Sequence, residues 1–323
     1  MRYRELGRHG LRVSEVGLDT RQMGGTLWIG GPGMPRPYGF GQVDESESLG
    51  VVSRARAMGI NFLLTSPASG GGRAERLIGK AIAGNRDYWV LGVMGGLTVD
   101  GTELKRDFSY DALSASLRAS LDRLGTSDTD LFMIESVTGE ELRDGACIES
   151  LRRVARSGLT GFVGVDVDIA SADMELLLNL DVDVVRVRYN IFEPLAGEFF
   201  AQARNAGLGI IAKGPLADGF LRGNFSNLDT FAPDDERSLL APERVEDLIA
   251  KSESLSFLEM PRRSLAQSAL LYVLANRAVS VALTGAASVA EVEEDAAAGS
   301  IPWLDDAALD RIRRLQRANF RIA

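Results

Sequence analysis

The sequence of 323 residues is poor in the residues on which several common chemistries depend. It contains one cysteine, Cys147, and one histidine, His9. A single cysteine excludes an intramolecular disulfide and a cysteine-rich metal site. One histidine leaves almost no material for histidine-based acid–base catalysis, for a catalytic triad or for a zinc centre. We therefore expect no metal, and we interpret Cys147 as a helix residue and His9 as a surface residue.

Lysine and long apolar runs are also scarce. Among 36 basic residues, lysine occurs only at positions 80, 105, 213 and 251. The formal net charge of -9 argues against non-specific binding to nucleic acid or to an anionic membrane. No run of about 18 apolar residues occurs, and the first ten residues lack the apolar region of a secretory signal. These absences predict a cytoplasmic protein whose partner is a small molecule.

The stretch from residue 59 to residue 82 shows the unit from which the chain is built. An apolar run at 60–64 precedes a Ser/Pro/Gly turn at 66–72, and apolar residues at helical spacing follow at Leu77, Ile78 and Ala81. Eight such strand-then-helix units predict a closed parallel barrel, organised as a single domain over residues 1–323. In such barrels the chemistry lies in the loops that follow the strands.

The element boundaries follow from apolar periodicity and from turn residues. A hairpin is predicted at 2–13, with barrel strands at 14–18, 60–64, 88–93, 130–134, 161–165, 182–187, 208–212 and 280–283. Helices after the first unit are predicted at 110–124, 139–156, 170–179, 194–206, 242–254, 263–275 and 288–298, with one from 44 to 59 and a last one after 303. The loop 24–41 is predicted to be an irregular flap over the barrel mouth, and 217–240 is predicted to be a second long loop before the helix at 242–254.

Several segments resemble the aldo-keto reductase family, in order and over nearly the whole chain. They are RYRELGRHGLRVSEVGL (2–18), GINF (59–62), GGRAERLIGKAI (71–82), YNIFEP (189–194), GLGIIAKGPLADGFLRG (207–223) and LTGAASVAEVEED (283–295). The resemblance implies an (α/β)8 TIM barrel with the N-terminal hairpin across its bottom. It also implies a family that transfers hydride from NADPH to a carbonyl.

The resemblance implies four catalytic positions at strand ends, where the family has Asp, Tyr, Lys and His. At the matching positions this chain has Leu64, Ser69, Met94 and Glu135. In the family the tyrosine donates a proton to the carbonyl oxygen, helped by the lysine and the histidine. The sequence therefore predicts a divergent member in which this tetrad is replaced.

The positions that hold the family's cofactor are altered as well. The resemblance places Asp166 and Arg186 where Ser and Gln normally contact the carboxamide, and Lys213 where an aromatic ring stacks on the nicotinamide. The positive charge of Lys213 would repel the positively charged nicotinamide ring of the oxidised cofactor. The family-like positions that remain are vestigial cofactor contacts: Gly214, Leu216, Gly285 and Glu294. We therefore predict that no cofactor is required, while the resemblance leaves NADP(H) open.

Charged residues replace the lost groups at the predicted barrel mouth. They are Asp19, Arg21, Glu135, Asp166, Arg186, Arg188 and Lys213. In a functional interpretation Glu135 or Asp166 is the general acid or base, Lys213 is a base, an oxyanion stabiliser or a Schiff-base nucleophile, and Arg186 binds an anionic group. Asp19, Arg21, Arg188 and the loop residue Tyr38 would contact the substrate. The alternative is a structural network in which Glu135 pairs with Arg186, and Asp166 pairs with Lys213.

Three functions fit this sequence. The first is a cofactor-independent lyase, dehydratase, isomerase or cyclase that acts on an anionic or carbonyl-bearing small molecule, in specialised-metabolite biosynthesis. The second is an NADP(H)-dependent oxidoreductase with unusual proton donors, and the third is a non-catalytic binding scaffold. The sequence favours the first, because the customary proton donor is missing, but the fold alone does not choose among them.

Overall fold

The computed structural model describes residues 1–8, 10–31, 33–168, 174–226 and 231–321. His9, part of the predicted helix at 170–179 and part of the predicted loop at 217–240 lie outside the described residues.

The strands carry the labels β1 to β14 in chain order. Their bounds are β1 (Tyr3–Leu6), β2 (Leu11–Ser14), β3 (Val16–Asp19), β4 (Leu27–Ile29), β5 (Arg36–Tyr38), β6 (Phe62–Thr65), β7 (Val90–Gly95), β8 (Leu97–Asp100), β9 (Glu103–Arg106), β10 (Thr129–Val137), β11 (Thr160–Val167), β12 (Val184–Arg188), β13 (Gly209–Lys213) and β14 (Val279–Gly285). Within the described residues, eight of these strands pair in parallel and close a barrel in the order β3, β6, β7, β10, β11, β12, β13, β14. The predicted (α/β)8 TIM barrel is confirmed.

Helices follow the barrel strands and pack on their outer face. Their bounds are α1 (Glu45–Ala57), α2 (Arg73–Ile82), α3 (Tyr110–Leu124), α4 (Gly139–Asp144), α5 (Ala146–Ala155), α6 (Met174–Asn179), α7 (Gly197–Asn205), α8 (Pro242–Glu253), α9 (Leu265–Ala275), α10 (Val289–Ala297) and α11 (Asp306–Arg317). Caps set several of their starts, because Asp44 accepts a hydrogen bond from the Glu47 N–H at 2.8 Å and Ser109 caps α3 from the Ala112 N–H at 3.4 Å.

The hairpin of β1 and β2 closes the amino-terminal end of the barrel. Leu6 and Val13 of this hairpin belong to the same buried cluster as Phe62, Leu131 and Val281, whose side chains fill the barrel. This packing leaves the carboxyl ends of the strands as the open end. The chain therefore places its charged strand-end residues on the one side of the barrel where a cleft can form.

The structure differs from the predicted elements in three segments. The loop 24–41 was expected to be irregular, but β4 and β5 form a hairpin in it, because Leu27 lies opposite Tyr38 and Trp28 lies opposite Pro37 in register. A second hairpin, β8 and β9, occupies 97–106, where no element was predicted. The predicted helix 139–156 is two helices, α4 and α5, because Gly145 adopts a left-handed φ of 79° between them.

Candidate active site

A cleft of about 550 Å³ opens at the carboxyl ends of the barrel strands. Its walls include every predicted catalytic and substrate-contact residue: Asp19, Arg21, Tyr38, Glu135, Asp166, Arg186, Arg188 and Lys213. Ser69 and Met94 also line it, whereas Leu64 is fully buried in the barrel interior. The structure thus brings residues from six barrel strands and from the mouth loops to one place.

Four of the charged residues form a continuous chain of ion pairs across the mouth. Arg186 lies 2.7 Å from Asp19 and 3.2 Å from Asp166, and Lys213 lies 2.7 Å from Asp166. Parallel register explains this arrangement, because Asp166 lies opposite Arg186 in the pairing of β11 with β12. The Arg186–Met94 contact of 3.6 Å adds a weak interaction through the sulfur atom. Two acids and two bases leave this network with no net charge.

Asp166 is the central acceptor of the network. Burial opposes its ionisation, but the charges of Arg186 and Lys213 and the hydrogen bonds from Lys213 and from the Ser136 N–H outweigh burial and hold its pKa below the ordinary value. An ionised carboxylate with its lone pairs occupied is a poor general base. The predicted Asp166–Lys213 pair is present in the structure, and this geometry favours a structural role for Asp166.

Glu135 differs from its neighbours because it forms no ion pair among the described residues. A bulge in β10 between Ile134 and Val137, with Ser136 at a φ of 56°, interrupts the strand at this point. The Ser66 hydroxyl donates to Glu135 at 2.7 Å. Burial raises the pKa of Glu135 despite this hydrogen bond, and the nearby charge of Asp166 acts in the same direction. The predicted pairing of Glu135 with Arg186 is wrong, because Arg186 is shared between two aspartates instead.

The two arginines that were expected to contact the substrate, Arg188 and Arg21, are already paired. Arg188 lies 2.5 Å from Glu193 and 2.7 Å from Asp218, and these pairs raise its pKa despite burial. Arg21 lies 2.6 Å from Glu236. A substrate carboxylate or phosphate would have to displace these partners.

Two loops meet above the cleft. The Gly39 N–H donates to the Glu236 carboxylate at 3.1 Å, and the Glu236 N–H donates to the Gly39 carbonyl at 2.8 Å. Tyr38, next to this junction, lines the cleft beneath the Arg21 guanidinium, which lies 4.7 Å from its ring centroid. Burial and the charge of Glu135 raise the pKa of Tyr38 to about 12, so the phenol stays protonated. No described residue forms a hydrogen bond with its hydroxyl, which is free to meet a ligand.

Several cleft residues were missed by sequence reasoning. Gln22, Arg222, Glu236, Arg237 and Glu291 all have atoms in its walls or at its loop junction. They lie in loops or in the first turn of a helix, where single residues carry no periodic signal. In the structure the Gln22 amide lies against Gly285, where a Cβ atom would fall 1.6 Å from the Gln22 oxygen, so a larger residue at 285 would displace this side chain.

The cleft has the volume of a ligand or cofactor site, and its lining includes positions that the sequence resemblance assigns to the dinucleotide. It continues from the strand-end network to the turn at Gly214 and Leu216 and to the segment after Gly285, so three of the four predicted vestigial contacts are in its walls. The fourth, Glu294, instead pairs with Arg222 at 2.9 Å. The buried Gln22 amide oxygen has no hydrogen-bond partner among the described residues, which suits a donor such as a carboxamide.

Comparison with known proteins places this geometry in a family. The sequence profile of the aldo/keto reductase family matches residues 25–317. The chain belongs to the aldo/keto reductase family. It is 27% identical to L-galactose dehydrogenase of Arabidopsis thaliana over 305 residues, covering 91% of this chain and 87% of that protein. It is 25% identical to an aldo-keto reductase of Bacillus subtilis over 309 residues, covering 91% of this chain and 87% of the relative.

A solved structure with the same architecture is that of glycerol dehydrogenase from Gluconobacter oxydans. Its TM-score is 0.79 at 22% identity, with 99% of this chain and 97% of that chain covered. The similarity at this level of identity supports the fold. An aldo/keto reductase chain built on this barrel has the architecture that the sequence resemblance implied.

These similarities correct the predicted function. The prediction of a cofactor-independent lyase, dehydratase, isomerase or cyclase is wrong, because relatives that cover nine tenths of the chain are a dehydrogenase and an aldo-keto reductase. The prediction that no cofactor is required has no support from them. The charge argument against nicotinamide also fails, because Lys213 is neutralised by Asp166 at 2.7 Å.

Two expectations concern absences. In the part of the chain that the structure describes, no helix is both long and apolar enough to cross a bilayer. Likewise, no cluster of three or more potential metal-ligating His, Cys, Asp or Glu side chains occurs among the described residues.

Cys147 lies in α5, and the sequence predicted a helix residue at this position. It is buried, and burial raises the pKa of its thiol to about 11.

Proposed function

We propose that this protein is a nicotinamide-dinucleotide-dependent oxidoreductase that interconverts a small carbonyl compound and its alcohol. The observation that carries the proposal is the single cleft that joins a buried acid, Glu135, to the loops at 214–222 and 284–291. A bound nicotinamide dinucleotide supplies or accepts the hydride. The protein must then supply or accept one proton at the substrate oxygen, so that both halves of the reaction balance.

Glu135 is the group best placed to exchange this proton. Its pKa is raised by burial, so the carboxyl holds a proton at a pH where an ordinary glutamate has lost it. A general acid works best when its pKa lies near the working pH. In the direction of reduction, Glu135 donates its proton to the oxygen as the carbon receives hydride, and solvent then reprotonates the carboxylate. Ser66, which donates to Glu135 at 2.7 Å, orients the carboxyl and stabilises the charge that develops.

Tyr38, at the end of β5, is another polar group that faces the cleft, and its hydroxyl has no hydrogen-bond partner among the described residues. With a pKa of about 12, the Tyr38 hydroxyl is a weak acid at neutral pH and a good hydrogen-bond donor. We assign it to the substrate rather than to proton transfer. Arg21, paired with Glu236 and stacked over the Tyr38 ring, fixes the position of the phenol.

The lining of the cleft favours a neutral, hydroxyl-rich substrate. Its cations are all ion-paired among the described residues: Arg21, Arg106, Arg186, Arg188, Lys213, Arg222 and Arg237. Paired charges offer hydrogen bonds to hydroxyl groups without a net field that selects an anion. The similarity to proteins named for L-galactose and for glycerol supports a sugar or polyol.

Residues on both sides of the mouth would hold the dinucleotide. The turn that begins at Gly214, whose carbonyl accepts from the Ala217 N–H at 3.0 Å, and the wall after Gly285 flank the cleft. The unpartnered Gln22 amide oxygen is available to a carboxamide N–H. Lys213 remains bound to Asp166, so the ring site carries no uncompensated cation.

The test combines binding with turnover. The purified full chain is titrated with NADH and NADPH while protein fluorescence is followed, and it is then assayed with a set of aldoses, polyols and their carbonyl forms. We expect saturable binding of a dinucleotide and turnover of at least one hydroxyl-rich substrate. Glu135→Gln should retain dinucleotide binding and lose turnover, whereas Glu293→Gln, which removes an exposed acid paired with Arg54, should retain both. A protein that binds neither dinucleotide refutes the proposal.

A further inference from the structure

The outer part of the cleft indicates which dinucleotide it accepts, and this inference rests on the proposed function. The reacting ring must lie beside Glu135 and the strand-end network, because the proton is exchanged there. The segment around Arg222 and the segment from Gly285 to Glu291 form one of the remaining walls, and the start of α10 in this wall is where a phosphate-bearing adenosine half would be expected to bind. This wall decides between a ribose hydroxyl and a ribose phosphate.

The backbone donors at the start of α10 are already occupied by carboxylates of the protein. The Ala287 N–H donates to Glu291 at 2.8 Å, and the Val289 N–H donates to Glu47 at 2.7 Å. A helix N-terminus binds phosphate through N–H groups of this kind. A phosphate at this place would meet two carboxylates instead of free donors.

Basic side chains are also lacking here. Residues 284–295 contain no lysine or arginine, and they contain four acids: Glu291, Glu293, Glu294 and Asp295. Arg222, the cation of this wall, lies 2.9 Å from Glu294 and 3.0 Å from Asp295, and one tenth of its side chain is exposed. Its charge is more than balanced by these neighbours. The outer wall therefore carries a net negative charge.

We infer that this cleft selects NAD(H) over NADP(H), and that Glu291 is the residue that determines the choice. Glu291 lines the cleft and is one third exposed, so its carboxylate is accessible to a ligand. A carboxylate accepts a hydrogen bond from a ribose 2′-hydroxyl, as acidic residues do in other dinucleotide sites. A 2′-phosphate would face like charge and would gain no new cation.

The experiment measures binding in the absence of any substrate. Dissociation constants of the full chain for NADH and NADPH are compared by calorimetry, together with those for ADP and 2′,5′-ADP, which lack the nicotinamide. We expect NADH to bind about tenfold or more tightly than NADPH. We also expect ADP to bind more tightly than 2′,5′-ADP. The preference should shrink at high salt, because screening weakens the repulsion.

Glu291→Gln isolates the residue, because glutamine keeps an acceptor for the Ala287 N–H and removes the charge. We expect this change to narrow the NADH-to-NADPH ratio several-fold. Glu293→Gln is the matched control: it removes one charge from the same helix, where Glu293 pairs with Arg54 at 2.6 Å, and the ratio should stay unchanged. Both variants are checked for unchanged urea unfolding.

The possible results separate this inference from the proposed function. If NADPH binds as tightly as NADH or more tightly, the inference is overturned and the proposed function stands. If neither dinucleotide nor either ADP fragment binds, both are overturned. An equal change of the ratio in Glu291→Gln and Glu293→Gln contradicts the role of Glu291, since it would show a general charge effect.

Discussion

Replacing Glu135 by glutamine separates the stability of this protein from its activity. Glu135 is almost fully buried and accepts one hydrogen bond, from Ser66 at 2.7 Å. When the carboxyl ionises, burial opposes its charge, and no cation lies in direct contact with it among the described residues. A buried polar group left unsatisfied costs about 1–3 kcal/mol, and more when it is charged. Glutamine keeps the acceptor for Ser66 and removes the ionisation, so we expect it to stabilise the fold at high pH.

The direction of the pH dependence follows from the raised pKa of Glu135. The folded state binds the proton more tightly than the unfolded state between the two pKa values. The stability from this group is therefore complete below the unfolded value of about 4.3 and is lost as the pH rises through the folded value. At pH 8, Glu135→Gln should raise the free energy of unfolding by about 1–3 kcal/mol. At pH 4 it should give no gain.

The measurement is urea unfolding of the wild type and of Glu135→Gln at pH 4, 6 and 8, followed by tryptophan fluorescence. Turnover is measured on the same samples, where the loss of a general acid should lower kcat about 10²- to 10⁴-fold. A variant that is more stable and much less active identifies a residue kept for chemistry. A loss of stability at pH 8 would refute the reasoning, because it would show that Glu135 is a needed counter-ion.

Three further changes test the surrounding groups. Asp166→Asn should lower the free energy of unfolding at pH 7 by about 3–5 kcal/mol, because it leaves Arg186 and Lys213 without their shared carboxylate. The control Glu293→Gln, which breaks an exposed ion pair, should change the free energy of unfolding by less than about 1 kcal/mol. Urea unfolding measures both. Tyr38→Phe should raise KM for a hydroxyl-rich substrate several-fold and leave kcat near the wild-type value, as steady-state kinetics would show. Burial raises the pKa of Asp295 to about 6, so the contribution of this group to stability is lost as the pH rises through 6. In urea unfolding between pH 4 and 7, the free energy of unfolding of Asp295→Asn should therefore vary less with pH than that of the wild type.

The barrel and the location of the site were predictable because they depend on periodic patterns. Each apolar run places its last residues at the open end of a parallel barrel, so Glu135, Asp166 and Lys213 could be assigned to one cleft without coordinates. One missed element left a readable signal: Gly101 and Thr102 form the two-residue turn between β8 and β9, and a glycine that opens such a turn between alternating residues is typical of a hairpin.

The pairing of the charged side chains could not be read from the sequence. The bulge at residues 135 and 136 separates Glu135 from Arg186, and no local pattern marks the residue at which a strand will bulge. Arg186 therefore pairs with Asp19 and Asp166, although Glu135 was expected as its partner. Register across three strands decides such contacts, and register depends on the whole barrel.

The error about redox chemistry has a different origin. The resemblance assigned different residues to four catalytic positions, and this assignment was taken to remove the reaction, although a proton can come from any acid whose pKa and position suit the task. The resemblance places Glu135 at one of those four positions, and burial raises the pKa of its carboxyl in the direction that a general acid requires. A replacement inferred from the resemblance alone therefore says less about the reaction than similarity over nine tenths of the chain.

The charge balance of the cleft links its structure to the chemistry that it can perform. Asp19, Arg186, Asp166 and Lys213 cancel one another, so this network gives the cleft shape and hydrogen bonds without a net field. The protonation of Glu135 then sets the local charge, and a neutral carboxyl beside a neutral network suits an uncharged substrate. In the proposed reaction, transfer of its proton would leave a carboxylate near Arg186 and Arg21, whose charges favour the ionised form of Glu135. Stabilisation that appears only as the reaction proceeds lowers the barrier without tightening the binding of substrate.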